Sequence, residues 1–137
     1  MVLPRYAAAM PLTDDDLALY ERARGASENA YAPYSRLPVG AALRTGGGQV
    51  FTGANVENAS FGLTCCAERT AIFTAVSAGH SDLVAIAVHA EAESAPPCGA
   101  CRQVMAEFAP RLRVIWRRDG ELVASSLGDL LPDAFRL

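Results

Sequence analysis

Two short stretches decide how this chain reads: Cys66-Ala67-Glu68 and Pro97-Cys98-Gly99-Ala100-Cys101. Cys98 and Cys101 have the Cys-x-x-Cys spacing that lets two thiols reach one ion, and Cys66 adds a third from elsewhere in the chain. Each of the three falls at or just before the start of a predicted helix, where the partial positive charge of the helix end favours thiolate over thiol. Three protein ligands, with a fourth position left for water, is the pattern of a catalytic zinc site, and zinc brings the pKa of that water down to about 7. Glu68 is not needed as a ligand. Two residues from a metal-ligating thiol, it is placed to take a proton from the water and hand it on. The plainer reading makes it a partner of its helix dipole, which leaves the Cys-x-Glu pairing without a reason.

Two other groups compete for the ion. Cys65 would complete a four-cysteine structural site, but adjacent cysteines reach one ion awkwardly, and structural sites space their pairs. His89-Ala90-Glu91 also places a ligand two residues before a carboxylate. It lies too close to Cys98 for a helix to fit between them, so His89 reads as a polar residue at a strand end. Three thiolates leave a zinc cluster net negative. Arg69 and Arg102 each directly follow a site residue, and at least one should donate to a ligand sulfur and offset that charge. Arg69 is the stronger candidate, because an arginine in an apolar helix needs a reason; Arg102 reads equally well as a surface residue.

Outward from the site, the chain alternates helices and strands. Residues 1–12 read as a loose tail. Thr13-Asp14-Asp15-Asp16 is a capped helix start with acids on the positive end of the dipole, and the helix should end by Tyr31, before Pro33. Residues 39–44 and 49–56 read as a hairpin turned at Gly46-Gly47-Gly48. A polar loop runs to Thr64. Residues 65–79 read as a helix apolar on most faces, hence buried, with Gly79 as its stop. Residues 83–91 form a strand, Ala95-Pro96-Pro97 a forced bend, and residues 99–108 a helix ended by Pro110. Leu112, Val114 and Trp116 alternate with Arg111, Arg113 and Arg117, which predicts a strand with one buried and one wet face. Asp119-Gly120 turns it into a last strand, residues 121–124, followed by a short helix over residues 127–131. Strands alternating with helices imply an α/β fold with helices packed on a shared sheet.

The composition narrows the function. The 137 residues suit one domain, 1–137, and a 51% hydrophobic fraction suits a real core. A net charge of −3 lacks the basic stripe of a polynucleotide-binding protein, so Arg111, Arg113, Arg117 and Arg118 read as a solvated strand face. No apolar run approaches the ~20 residues of a membrane helix. Residues 1–12 lack the apolar centre of a secretory signal, so a cytoplasmic location is expected.

Taken together, six segments resemble one family. They are Tyr31-Ala32-Pro33-Tyr34-Ser35, Val39-Gly40-Ala41-Ala42-Leu43, Asn55-Val56-Glu57-Asn58, Cys66-Ala67-Glu68-Arg69-Thr70-Ala71, Pro97-Cys98-Gly99-Ala100-Cys101-Arg102-Gln103-Val104 and Leu130-Leu131-Pro132-Asp133-Ala134-Phe135. The chain looks like a small-subunit, homotetrameric member of the zinc-dependent cytidine and deoxycytidylate deaminases, from about residue 13 to residue 135. The resemblance implies a three-layer α/β/α fold on a mixed five-stranded sheet and one Zn2+ per subunit on Cys66, Cys98 and Cys101. It implies hydrolysis of cytidine and 2′-deoxycytidine to uridine and 2′-deoxyuridine plus ammonia, as in pyrimidine salvage. A zinc-activated hydroxide would attack C4, with Glu68 as proton shuttle. It gives Asn55 and Glu57 the ribose 3′-hydroxyl, the Ala67 N–H the pyrimidine carbonyl, Arg69 the tempering of thiolate charge, and Phe135 a place in a neighbouring subunit's site. The partner implied is a nucleoside, with no nucleic acid or membrane, in a homotetramer whose sites lie near subunit interfaces. Two positions depart from the family. Leu37 stands where Phe usually stacks on the pyrimidine, a change worth about 1 kcal/mol, and Phe61 stands where Tyr is common. The departures leave room for another aminopyrimidine such as blasticidin S. A non-catalytic zinc or thiol module is the remaining alternative, and it gives no reason for Glu68, Asn55 or Glu57.

Overall fold

The computed structural model describes residues 6–137. Its first helix, α1 (Asp14–Ala26), opens on a reciprocal cap: the Asp16 N–H donates to the Thr13 hydroxyl at 3.2 Å, and the Thr13 N–H donates to the Asp16 carboxylate at 2.9 Å. The strands are β1 (Val39–Thr45), β2 (Val50–Ala54), β3 (Leu83–Ala90), β4 (Arg113–Arg118) and β5 (Glu121–Ser126). They form one sheet in the order β2-β1-β3-β4-β5, antiparallel throughout except for the parallel β3–β4 pair. The parallel pair needs a crossover, and α3 (Gly99–Phe108) supplies it. The sheet is mixed and five-stranded, as the resemblance implies.

Strand periodicity separates two cores. Ala41, Leu43, Ile86, Val114 and Trp116 point to the face that carries α2 (Ala67–Ser77), α3 and the short α4 (Leu127–Leu130). Ala42, Ala85, Ala87, Ile115 and Ala124 point to the opposite face, where Leu19, Tyr20 and Ala23 of α1 cover them. Alanines dominate the α1 side, so that helix lies close to the sheet. Two glycines show how close. A Cβ on Gly40 would run into the Ala23 carbonyl of α1, and one on Gly53 would lie 2.7 Å from the Ala67 carbonyl of α2. At these two points the helix backbone seats directly on strand backbone.

The structure corrects three expectations. β4 is not half wet: Val114, Ile115 and Trp116 are all buried, because a strand inside the sheet has helices on both faces. Two of its arginines, Arg113 and Arg118, are tethers rather than part of a solvated face, while Arg111, before the strand, is exposed as expected. Arg113 reaches the fully buried Asp16 carboxylate at 2.6 Å, and Arg118 lies over the Tyr6 and Trp116 rings and donates to the Ala7 carbonyl. The expected loose tail is tied down where it is described: the Met10 N–H donates to the Ala124 carbonyl at 2.8 Å, and the Ser125 hydroxyl donates to the Ala8 carbonyl. Residues 1–5 of that tail lie outside the described residues. Finally, α2 buries one face only. Ala67, Glu68, Ala71, Ile72 and Ala75 turn inward, while Phe73 is half exposed.

Candidate active site

Two helix starts converge on one point. Cys66 is the N-cap of α2 and Cys98 the N-cap of α3, both in extended backbone conformation and neither capping through its side chain. Their sulfurs are left free to point outward, and Cys101, fully buried in the first turn of α3, joins them. The Cys66 and Cys98 sulfurs lie 3.9 Å apart, those of Cys98 and Cys101 3.5 Å apart, and all three fall within 4.8 Å of one another. Tetrahedral zinc, bonded to sulfur at about 2.3 Å, spaces its sulfurs by about 3.8 Å. The thiol cluster therefore fits one zinc ion with little movement. Cys65 lies outside it, its thiol within reach of the Cys66 carbonyl and the Thr70 hydroxyl. His89 is on the far side of the sheet. It is buried against α1, with Nδ1 2.7 Å from the Tyr20 hydroxyl and Nε2 3.2 Å from Glu91.

The charges in the cluster are organised around Cys66. Its thiol pKa falls to about 5, chiefly through the neighbouring Cys101 thiol; burial opposes the fall, and Arg69 assists it. Cys101 is pushed up as the proton-holding partner of the same contact. Arg69, one turn along α2, directs Nη2 at the Cys66 sulfur from 3.3 Å. Arg102 does something else. Its Nε donates to the Pro97 carbonyl and its Nη1 to the Leu130 carbonyl, both at 2.8 Å, so it ties the bend before Cys98 to α4. Of the two arginines, Arg69 is the one that meets a ligand sulfur.

Glu68 is 4% exposed. Burial, with the Cys66 thiolate adding to it, holds its carboxyl above the usual carboxylate range. It borders a pocket of about 310 Å³ together with Cys66, Cys98 and Ala67. The Ala67 N–H is in the first turn of α2, where a helix provides no carbonyl partner.

Asn55 and Glu57 lie at another part of the same pocket, just past the end of β2. Both also hold the loop that leads into β1. Asn55 accepts from the Val39 N–H at 2.9 Å and donates to the Leu37 carbonyl at 3.0 Å. One Glu57 oxygen accepts from the Tyr34 and Ser35 N–H groups, at 2.9 and 3.0 Å. These contacts, with Ser35 the largest, keep the Glu57 carboxyl below its usual range, so it is ionised. Leu37 lines the pocket on that loop. Phe135 does not enter it. Phe135 is 71% exposed beside α3, its carbonyl accepting from the Gln103 side chain at 3.1 Å. The sequence reading missed the wall formed by Ala92, Ser94, Ala95 and Pro96. Only the Pro96-Pro97 bend marked that loop in the sequence, and small residues there give no chemical signal.

Comparison with known proteins agrees with this geometry. A family model for the cytidine and deoxycytidylate deaminase zinc-binding region matches residues 13–116. The chain belongs to that family, and with it to the zinc-dependent hydrolases that deaminate. Within the family it is similar to a cytidine deaminase from Halalkalibacterium halodurans, 52% identical over 124 residues that cover 88% of this chain and 94% of that one. A solved cytidine deaminase from Burkholderia pseudomallei superposes with a TM-score of 0.83 at 53% identity, covering 90% of this chain and all of that one. A blasticidin-S deaminase from Bacillus cereus is more distant, at 34% identity over 103 residues, with coverage of 69% and 74%.

Proposed function

We propose that this chain hydrolyses cytidine and 2′-deoxycytidine to uridine and 2′-deoxyuridine, releasing ammonia. The observation that carries the reading is a buried Glu68 carboxyl beside the three-thiol cluster, in a pocket that also exposes the polar pair Asn55 and Glu57. Bound zinc supplies a Lewis acid that makes a water acidic enough to attack a ring carbon near neutral pH. Glu68 takes the proton that the attacking water gives up. It delivers that proton to N3 of the pyrimidine, then takes the proton of the hydroxyl now on C4 and passes it to the leaving amine, so one carboxyl serves in turn as base and as acid. Its raised pKa suits both roles, since a carboxyl closer to neutrality accepts and releases a proton more readily at working pH. The Ala67 N–H holds the pyrimidine carbonyl, and Leu37 packs on the ring. The Glu57 oxygen that does not bind Tyr34 and Ser35, together with the remaining capacity of the Asn55 amide, holds the 3′-hydroxyl. Arg69 keeps negative charge from accumulating on the sulfurs.

The same reading makes the protein a cytoplasmic homotetramer, with Phe135 completing a neighbouring subunit's site. Phe61, Leu63 and Phe135 are each more than 70% exposed, and Phe73 is 48% exposed; these are apolar side chains that subunit contacts would cover. Among the described residues no helix is long and apolar enough to cross a membrane. Light scattering on a sizing column should give four times the chain mass.

The deciding experiment follows the ultraviolet absorbance of cytidine, with and without a chelator, beside the same assay on blasticidin S. Zinc-dependent loss of cytidine absorbance with little turnover of blasticidin S is expected. The reverse preference would assign the pocket to the other substrate, and a zinc-loaded protein inert towards both would remove the enzymatic reading.

A further inference from the structure

Part of the Ala92–Pro96 wall of the active-site pocket backs onto a second cavity rather than onto packed core. Ser94 and Pro96 line the active-site pocket on one side and a second cavity, of about 350 Å³, on the other. Where a cavity backs the wall there is less packing to hold it, and hydrogen bonds take a larger share. Four of them run to the β4–β5 hairpin. The Ala95 N–H donates to the Arg117 carbonyl at 3.0 Å, and the Gly120 N–H donates to the Glu93 carbonyl at 2.9 Å. The Asp119 N–H donates to the Ser94 hydroxyl at 2.8 Å, and that hydroxyl donates back to Asp119 Oδ1 at 3.3 Å. The second carboxylate oxygen, Oδ2, accepts from the Tyr6 hydroxyl at 2.9 Å.

We propose that Asp119 is a positioning residue for substrate binding: across the second cavity, its carboxylate fixes the Ser94 side chain and the wall that leads into Cys98. Asp119 does not touch the active-site pocket. It sits at the hairpin turn with φ 50°, a left-handed conformation that Asp, Asn and Gly tolerate, so turn and clamp can be separated by mutation. The backbone bonds of the wall survive loss of the carboxylate. Only the orientation of Ser94 and the link to Tyr6 go, which predicts a looser wall rather than an unfolded one. The zinc-binding thiols, seated on α2 and α3, should keep their places.

The inference rests on the proposed deamination of cytidine, and its test has one arm that does not. In the zinc-loaded full chain, Asp119→Gly keeps the turn and deletes the carboxylate. It should raise the KM for cytidine about threefold to tenfold, the worth of a hydrogen bond, with kcat and zinc content close to those of the parent. Amide hydrogen exchange over residues 91–97 should speed up in the same variant, a readout independent of any substrate. Asp119→Asn, which keeps an acceptor for Ser94, should restore both values. A KM unchanged in Asp119→Gly, a fall in kcat at constant KM, or a raised KM without faster exchange in residues 91–97 would each overturn the proposal. If the parent protein does not turn over cytidine, the functional reading fails by itself, and the exchange arm still tests the clamp.

Discussion

Arg69 and Cys66 lie one turn apart on the same helix, with the Arg69 Nη2 3.3 Å from the Cys66 sulfur. The Arg69 Nε is buried and, among the described residues, has no hydrogen-bond partner. Leaving a buried donor unpaired costs about 1–3 kcal/mol. The arginine holds its position despite that cost because its charge is used at the sulfur, where the guanidinium pKa also rises through the Cys66 contact.

Replacing Arg69 by Gln removes the charge and keeps most of the length. Zinc content should persist while kcat falls about 10–100-fold, the usual cost of losing a group that supports a metal ligand. Metal analysis and steady-state kinetics on the same sample check this. Unchanged kinetics would take Arg69 out of the mechanism.

Glu68→Gln separates proton transfer from metal binding. The amide cannot shuttle protons, so turnover should drop by at least the 10²–10⁴ typical of general acid–base catalysis. Zinc content and thermal midpoint should remain near parental values, because Glu68 is not among the three clustered thiols.

Cys65 should behave oppositely to Cys98. Cys65→Ser leaves the three-thiol cluster intact and should keep zinc and activity. Cys98→Ser removes a sulfur of the cluster, 3.5 Å from that of Cys101, and should lose both. Zinc content per chain, by atomic absorption, distinguishes the two variants.

The Asp16–Arg113 pair predicts acid sensitivity. Burial alone would raise the Asp16 carboxyl, but the Arg113 guanidinium and the Thr13 hydrogen bonds outweigh it and hold the pKa below the usual range. A group depressed in the folded state contributes stability above its unfolded pKa of about 3.9 and loses it as pH falls through the folded value. Asp16→Ala leaves Arg113 without its partner and should cost about 3 kcal/mol at pH 7. The gap between parent and variant in urea unfolding should narrow below about pH 4. A gap independent of pH would mean that the pair contributes by packing alone.

Much of this architecture could be read in the sequence. Thr13 and Asp16 announced their own cap, Gly46 to Gly48 and Asp119-Gly120 their turns, and the three thiols their helix starts, because each signal is local. What escaped depended on neighbours. Ile115 was passed over because alternation describes one strand, not how many layers flank it. Arg113 and Arg118 looked solvated because their partners, Asp16 and Tyr6, lie about a hundred residues away. Asn55 and Glu57 were read as groups for a ligand, and nothing in the residues announced that they also brace the Tyr34–Val39 loop. The Ala92–Pro96 wall is made of side chains too small to leave a pattern.

The close approach at Gly53 sets a limit for anyone reshaping this pocket. A side chain between strand and helix could change rotamer and let the helix rise or sink; a backbone contact has no such play. The height of Glu68 above the sheet is in effect machined, and repacking the core beneath α2 will not tune it. Bulkier ligands have to be accommodated at Leu37 and along the small-residue loop before Cys98, where side-chain size rather than a backbone contact sets the clearance.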